Sequence, residues 1–218
     1  MEKKDNSLHS FWESSFQEKQ KMWGLTPANS AFEATRLFLE NRFQHILIPG
    51  LGYGRNAIPF LDNGMQVTGI EISETAISLA KAQFGDQLLN IYHGSVGEMP
   101  FSDVRYDGIF CYSLIHLLDE PDRIKLIEDC FIQLEPGGIM IFVTVSKQFP
   151  SFGQGKLLEP NRYETLPGVC LFFYDSKSIQ REFGPFGLIS YEPVAEDQQS
   201  IGNRPPTLPG YWFILCKK

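Results

Sequence analysis

"HILIPGLGYGRN", residues 45–56, is the stretch that decides the fold. An apolar run leads directly into glycines at alternate positions, Gly50, Gly52 and Gly54. The run reads as a buried strand, and the glycines read as a turn that tolerates positive φ and close approach before a helix opens at Arg55. A strand that ends in such a turn presents backbone N–H groups and a positive helix end to whatever sits there. By itself the triplet fits a plain tight turn as well as a cofactor site.

The next strand sharpens the reading. "VTGIEIS" puts Glu71 at a strand end roughly 20 residues after the turn, where a carboxylate in such folds accepts hydrogen bonds from ribose hydroxyls. The alternative is that Glu71 only caps the helix after Ser73. Beyond it the pattern alternates: "HILIP", "QVTGIEI", "LLNIYH", "YDGIFCY" and "GIMIFVTV" are short β-branched or aromatic runs, as expected of strands buried on both faces. Helix-period stripes separate them, one through Ile77, Ala80 and Phe84, another through Ile124, Ile127, Phe131 and Leu134. This order predicts an α/β fold: a doubly wound, Rossmann-like sheet of seven strands, mostly parallel, with helices on both faces. "LISYEPVAE" and "YWFILCKK" have no helical pattern between them, so they should pair antiparallel and make the last strand antiparallel to the rest.

Composition narrows the class. A chain of 218 residues fits one domain, residues 1–218, with a helical arm or lid over 1–41 and the core over 42–218. The net charge of −7, with no Lys/Arg stripe, argues against a nucleic-acid or anionic-membrane surface, so the expected partner is a small molecule. No apolar leader or bilayer-length span is visible, and the expected location is cytoplasmic. Cys111, Cys130, Cys170 and Cys216 and the four His are dispersed, so no metal site is expected.

In the arm, residues 8–20 carry Phe11, Trp12 and Phe16 at helical spacing before Gly24 and Pro27 break the pattern. A second helix up to Asn41 would be capped by Asn29 or Ser30, with Phe32, Leu39, Ala31 and Ala34 as its apolar face. The stretch 146–168, "SKQFPSFGQGKLLEPNRYETLPG", reads as a long Gly/Pro-rich insertion with no clear period.

A dinucleotide site would want glycine at the position of Arg55, and G-x-G-x-G stands here instead. The turn resembles motif I of the class I S-adenosylmethionine-dependent methyltransferases, and the resemblance runs from His45 nearly to the end of the chain. It implies S-adenosylmethionine as cofactor, Gly50, Gly52 and Gly54 as loop glycines and Glu71 as the ribose-binding acid. "GSVGEMPF" is similar to the family's next signature, with Ser95 where an acid usually meets the adenine amino group and Val96 beside the ring. "YDGIFCYSLIHLL" is similar to the fourth-strand motif, from which Tyr112 to His116 face cofactor and substrate. "LEPGGIMIF" resembles the hairpin into the fifth strand, with Gly137 and Gly138 turning the chain. Asn56, Ile72 and Trp23 complete the expected cofactor set. The family commonly has an acid where Ile48 stands. The "ILIPG" form resembles the thiopurine and thiol/halide methyltransferase branch and some tellurite-resistance-like relatives.

The resemblance implies transfer of a methyl group to a small-molecule acceptor, such as a thiol or other soft nucleophile. His116 is the candidate base, since it follows the fourth strand at the carboxyl edge of the sheet; the competing reading is a packing histidine. His93 reads as structural. Trp12, Met22 and Trp23 would close over a sulfonium or simply staple the arm to the core. Phe149, Phe152 and Tyr163 would line an acceptor pocket or belong to the core, whereas residues 172–174, "FFY", read as core. Arg162 and Arg204 are candidates for an anionic substrate group, and the acceptor would enter near the Pro-rich loop around Arg204. The rival functions are a nucleotide-dependent oxidoreductase and a non-catalytic S-adenosylmethionine-binding protein.

Overall fold

The computed structural model describes residues 2–85, 89–196 and 209–218, with the side chains of residues 2–8 left aside. Two helices lead, α1 (Glu2–Lys19) and α2 (Asn29–Glu40). β1 (His45–Pro49) enters the glycine turn, and a 3-10 segment, Arg55–Ala57, passes into the short α3 (Ile58–Asp62). Alternation follows with β2 (Gln66–Glu71), α4 (Glu74–Phe84), β3 (Leu89–His93), β4 (Tyr106–Tyr112), α5 (Glu120–Gln133) and β5 (Leu134–Val145). Three short strands come next, β6 (Lys156–Glu159), β7 (Arg162–Leu166) and β8 (Val169–Phe172), then α6 (Ser176–Phe183), β9 (Leu188–Val194) and β10 (Tyr211–Lys217).

Seven strands form one sheet in the order β3-β2-β1-β4-β5-β10-β9. β1 to β5 pair in parallel, and β10 runs antiparallel to both β5 and β9. The architecture is the one expected. The chain winds outward from β1 to β3, then returns to lay β4 on the other side of β1, so strand order reverses at β1. The crevice at such a switch point, beyond the carboxyl ends of the strands, is where open α/β sheets bind ligands.

Period-two alternation builds both layers of the core. Ile46, Ile48, Phe110, Ile141 and Val143 face one side with Phe38 of α2 and Phe60 of α3. Leu47, Ile109, Cys111, Met140 and Phe142 face the other, against Leu126 and Ile127 of α5 and Ile179 and Phe183 of α6. Gly108 in β4 makes room for Phe38: a Cβ there would lie 2.8 Å from its ring.

Five local readings are corrected. α2 is preceded by Ala28, which offers no side-chain cap; the Ser30 N–H of its first turn instead donates to Glu196 Oε1 at 3.3 Å, so a carboxylate far along the chain does the work assigned to Asn29 or Ser30. Phe32 and Leu39 are exposed, and the buried face is Ser30, Ala31, Ala34, Thr35 and Phe38, where small residues let the helix approach the sheet. In α5 the inward position belongs to Arg123 and Ile124 is exposed, because Glu182 of α6 neutralises the guanidinium. Gly137, at φ +85°, bends the chain within β5 rather than closing a hairpin. The insertion also has a period of its own, since β6, β7 and β8 form an antiparallel three-stranded meander.

The Arg123 pair is the largest buried polar feature of the core. Its guanidinium donates to both Glu182 oxygens, at 3.2 and 3.0 Å, and lies 3.8 Å from the centre of the Phe172 ring. Tyr174 donates to the same carboxylate at 2.7 Å. Removing one partner of such a pair strands a buried charge, at about 3–5 kcal/mol. Glu182→Ala should therefore lower the unfolding free energy from urea titration by an amount in that range, with a lower midpoint, whereas Arg36→Ala, whose partners Glu33 and Glu40 are in solvent, should leave both nearly unchanged. Equal midpoints for the two variants would refute this account of the core.

Candidate functional site

The glycine turn is held from behind by one carboxylate. Glu71, buried at the end of β2, accepts from the Gly52 N–H at 2.7 Å through one oxygen, and from the Ile72 and Ser73 N–H groups, both at 2.9 Å, through the other. It does more than cap α4, because Ser73 is the capping residue and accepts from Ala76 N–H. Burial raises the pKa of Glu71, and the three backbone donors work against that rise. Gly50, Gly52 and Gly54 all have positive φ, between +59° and +82°. At Gly54 an added Cβ would also lie 2.7 Å from the Phe84 ring.

The arm closes over this turn. Phe16 of α1 packs on Tyr53 and Ala76, and Trp23 stacks on the Tyr53 ring at 6.1 Å and 17°. The Tyr53 hydroxyl accepts from Trp23 N–H at 3.1 Å and donates to the Gly24 carbonyl at 2.8 Å. Glu13 accepts from Ser73 Oγ at 2.6 Å, Thr75 Oγ1 at 2.5 Å and Thr75 N–H at 3.2 Å. Partial burial opposes ionisation of Glu13, but these donors hold its pKa down at about 2. The arm is stapled to the core, and Trp12, Phe16 and Trp23 also line a cavity.

That cavity, of about 480 Å³, opens at the switch point. Gly50, Gly52, Asn56, Glu71 and Ile72 line it from the turn and β2, and Ser95 and Val96 from the segment after β3. Tyr112, His116 and Trp23 line it as well. The sequence-predicted residues thus meet in one place, except Gly54, which stands behind the turn against Phe84. Ser95 caps a short 3-10 turn, its Oγ accepting from Gly97 N–H at 3.2 Å and its N–H donating to Glu98 at 3.0 Å. His93 bonds the Ile72 carbonyl at 3.1 Å, which suits a structural role.

Beyond β4 the chain strains. Ser113, which lines the cavity, has φ +53°, a conformation that a non-glycine residue holds only where its surroundings fix it. Its N–H donates to the Val143 carbonyl at 2.9 Å. Tyr112 stacks on Tyr211 at 6.3 Å and 20°, with the Arg55 guanidinium 5.6 Å from its ring centre. Burial raises the Tyr112 phenol well above its ordinary range. His116 is buried with Nδ1 3.2 Å from Thr144 Oγ1, and burial pulls its pKa down to about 3.

Several lining residues were missed from sequence. Tyr53 sits between two turn glycines, where its aromatic ring signals a packing partner for the arm. Val169 and Leu171 belong to β8, and the strand-like run "VCLFFY" carried that signal. Phe149 lines the cavity, whereas Phe152 and Tyr163 pack on Phe173 in the core. Arg162 pairs with Glu159 at 3.2 Å, and Arg204 and its loop lie outside the described residues. Among the described residues no helix is long and apolar enough to cross a membrane.

Residues 47–142, from β1 to β5, match the family model for a methyltransferase domain. The matched stretch, somewhat under half of the chain, carries the glycine turn, Glu71, Ser95 and His116. It is similar to a ubiquinone biosynthesis O-methyltransferase of Coxiella burnetii, 32% identical over 111 residues that make up 50% of this chain and 47% of that protein. A probable S-adenosylmethionine-dependent methyltransferase of Mycolicibacterium smegmatis is 28% identical over 116 residues, 53% of this chain and 43% of that one. The chain thus spans about half the length of the relatives it matches. In fold it resembles the 1,6-didemethyltoxoflavin-N1-methyltransferase of Burkholderia thailandensis, solved with bound 1,6-didemethyltoxoflavin and S-adenosylhomocysteine. The TM-score is 0.72 at 16% identity, covering 98% of this chain and 88% of that one.

The state of His116 yields a pH test. Unfolded, the ring titrates near its ordinary 6.5; folded, it titrates at about 3, so between these values the unfolded chain binds the extra proton. Stability contributed by the neutral buried ring is complete above that window and is lost as pH falls through it. Urea midpoints taken at about pH 7 and about pH 4 should therefore fall further in the wild type than in His116→Gln. An equal drop in both would mean that the ring titrates normally in the folded protein.

Proposed function

We propose that this chain transfers a methyl group from S-adenosylmethionine to a small-molecule acceptor, a thiol or another soft nucleophile. The single observation that carries the reading is the Glu71 carboxylate, fixed by the turn that it braces and lining the cavity at the switch point. The residues suit the donor chemically. Glu71 offers carboxylate oxygens to a ribose diol, Ile72 and Val96 offer apolar surface to a flat base, and Gly50 and Gly52 let the backbone come close. Ser95 and Asn56 add short polar groups, and Trp23 and Tyr112 present ring faces that attract a sulfonium. These faces compensate in part for the acid that is absent at Ile48.

When bound, S-adenosylmethionine supplies a methyl group activated by the positive sulfur. The chain's own task is then to hold donor and acceptor in line, to exclude water and to accept a proton where the acceptor carries one. α1 and Trp23, stapled through Tyr53 and Glu13, serve as the lid. His116 is the proposed proton acceptor. Its ring stays neutral, but a pKa of about 3 makes it a weak base. That weakness favours an acceptor that ionises unaided near neutral pH, as a thiol does. The finer placement, beside the thiopurine and thiol methyltransferases or the tellurite-resistance-like proteins, rests on Ile48 and Pro49 ahead of Gly50.

Isothermal titration with S-adenosylhomocysteine and with NADH decides the cofactor. The first should bind and the second should not, and Glu71→Ala should weaken the first about tenfold or more, near 1.4 kcal/mol, with the circular dichroism unchanged. Preference for NADH would defeat the reading in favour of an oxidoreductase. Donor binding without methyl transfer to any of a panel of thiols, phenols and amines would leave a binding protein.

A further inference from the structure

The turn after β4 is fastened to β5 at two neighbouring residues. Ser113, held at φ +53°, donates its N–H to the Val143 carbonyl at 2.9 Å. Further along, His116 puts Nδ1 3.2 Å from Oγ1 of Thr144, the next residue of β5. The first bond fixes the backbone and the second fixes the ring. Between them the chain closes a 3-10 turn, Ile115–Leu117, in which the Leu117 N–H donates to the Leu114 carbonyl at 2.9 Å. Leu114 in turn packs on the glycine turn, since a Cβ added at Gly50 would lie 3.1 Å from its side chain. His116 is thus placed by the glycine turn through Leu114 and by β5 through Thr144.

Thr144 suits the task of holding a ring. It is buried, its backbone is pinned opposite Trp212 of β10, and a β-branched side chain on a paired strand has few rotamers, so Oγ1 is a fixed point. His116, buried as well, lines the cavity. Burial pulls its pKa down to about 3, so near neutral pH the ring is uncharged and has one hydrogen to place. The bond made by one ring nitrogen decides which of the two carries it. We propose that Thr144 is a positioning residue: its Oγ1 accepts from the Nδ1–H of His116, and the ring thereby turns Nε2, with its lone pair, to the cavity. This rests on the methyl-transfer reading with His116 as proton acceptor, because only a ring hydrogenated at Nδ1 leaves Nε2 free to take a proton. The two nitrogens stand on either side of Cε1, so anchoring the first aims the second. A neutral hydroxyl orients the ring without raising its basicity as a carboxylate partner would.

Nitrogen NMR of the full chain at about pH 7 reads the tautomer directly. The His116 signals are picked out from those of the four histidines by comparison with His116→Gln. The Nδ1–H form should dominate by about tenfold or more. Thr144→Val, which puts a methyl where the hydroxyl stands, should move the tautomer ratio about fivefold or more towards the Nε2–H form, while Thr144→Ser should keep the wild-type ratio. A merely structural role for Thr144 would not separate these two variants in that way. A dominant Nε2–H form in the wild type would overturn the proposal and make His116 a hydrogen-bond donor to an acceptor that arrives ionised. A ratio unmoved in Thr144→Val, or moved equally in both variants, would overturn it as well. Should Thr144→Val fail to fold, the wild-type tautomer alone still decides. Failure of the wild type to bind S-adenosylhomocysteine is a different result, which defeats the methyl-transfer reading whatever the tautomer.

Discussion

A single buried carboxylate organises the ligand side of this molecule. Glu71 closes the end of β2 onto the turn after β1 by taking the Gly52 N–H, and onto the start of α4 by taking the N–H groups of Ile72 and Ser73. Backbone donors buried at a turn need acceptors, and here one side chain satisfies three of them. The next link is Ser73, which both caps α4 and donates to Glu13, so α1 is fastened to the same point. From Glu71 to Ser73 to Glu13 the chain of bonds sets the height of the aromatic arm above the glycine turn. Glu71 and the aromatic arm are therefore parts of one assembly, and a change in one is felt by the other.

A second, independent assembly governs the opposite side. Arg123 and Glu182 are an expensive pair to bury, and two well-packed apolar residues would serve the core as well or better. What the pair adds is direction. The guanidinium offers a flat charged face to the Phe172 ring and fixed donors to Glu182, and Tyr174 reaches the same carboxylate. Phe172 and Tyr174 close the meander, so the network sets how β8 approaches the sheet. Two walls of the cavity thus hang from different anchors, one in the β1–β2 turn, the other between α5 and α6.

The sheet was legible from sequence because its signals are local. Parallel strands buried on both faces must be apolar throughout, and five such runs stood out; Glu71 stood out by its distance from the turn. The cavity's turn side was legible for the same reason, since Gly50, Gly52, Asn56, Glu71 and Ile72 come from two short stretches. What escaped depends on partners remote in the chain. Arg123 points inward because Glu182, 59 residues later, waits for it, while an apolar pattern alone selects Ile124. The inner face of α2 is chosen by size, since Ala31 and Ala34 fit against the sheet where Phe32 does not. The meander escaped because β6 is exposed along its whole length and carries no burial pattern to read.

That division of labour separates the two walls of the cavity. The turn side is built from the backbone of the glycine turn and the end of β2, neither of which can vary without disturbing the sheet. The meander is different. It is joined to the core by the buried ring of Phe172 and by a backbone bond from Phe173 N–H to the Asn161 carbonyl at 2.8 Å, while β6 lies in solvent. Its cavity-facing side chains, Val169 and Leu171, make no part of the seven-stranded sheet's register, so they are free to vary without disturbing it. A fold that keeps one wall of its cavity on the sheet and the other on an appended hairpin can change the shape of that cavity without changing how it folds.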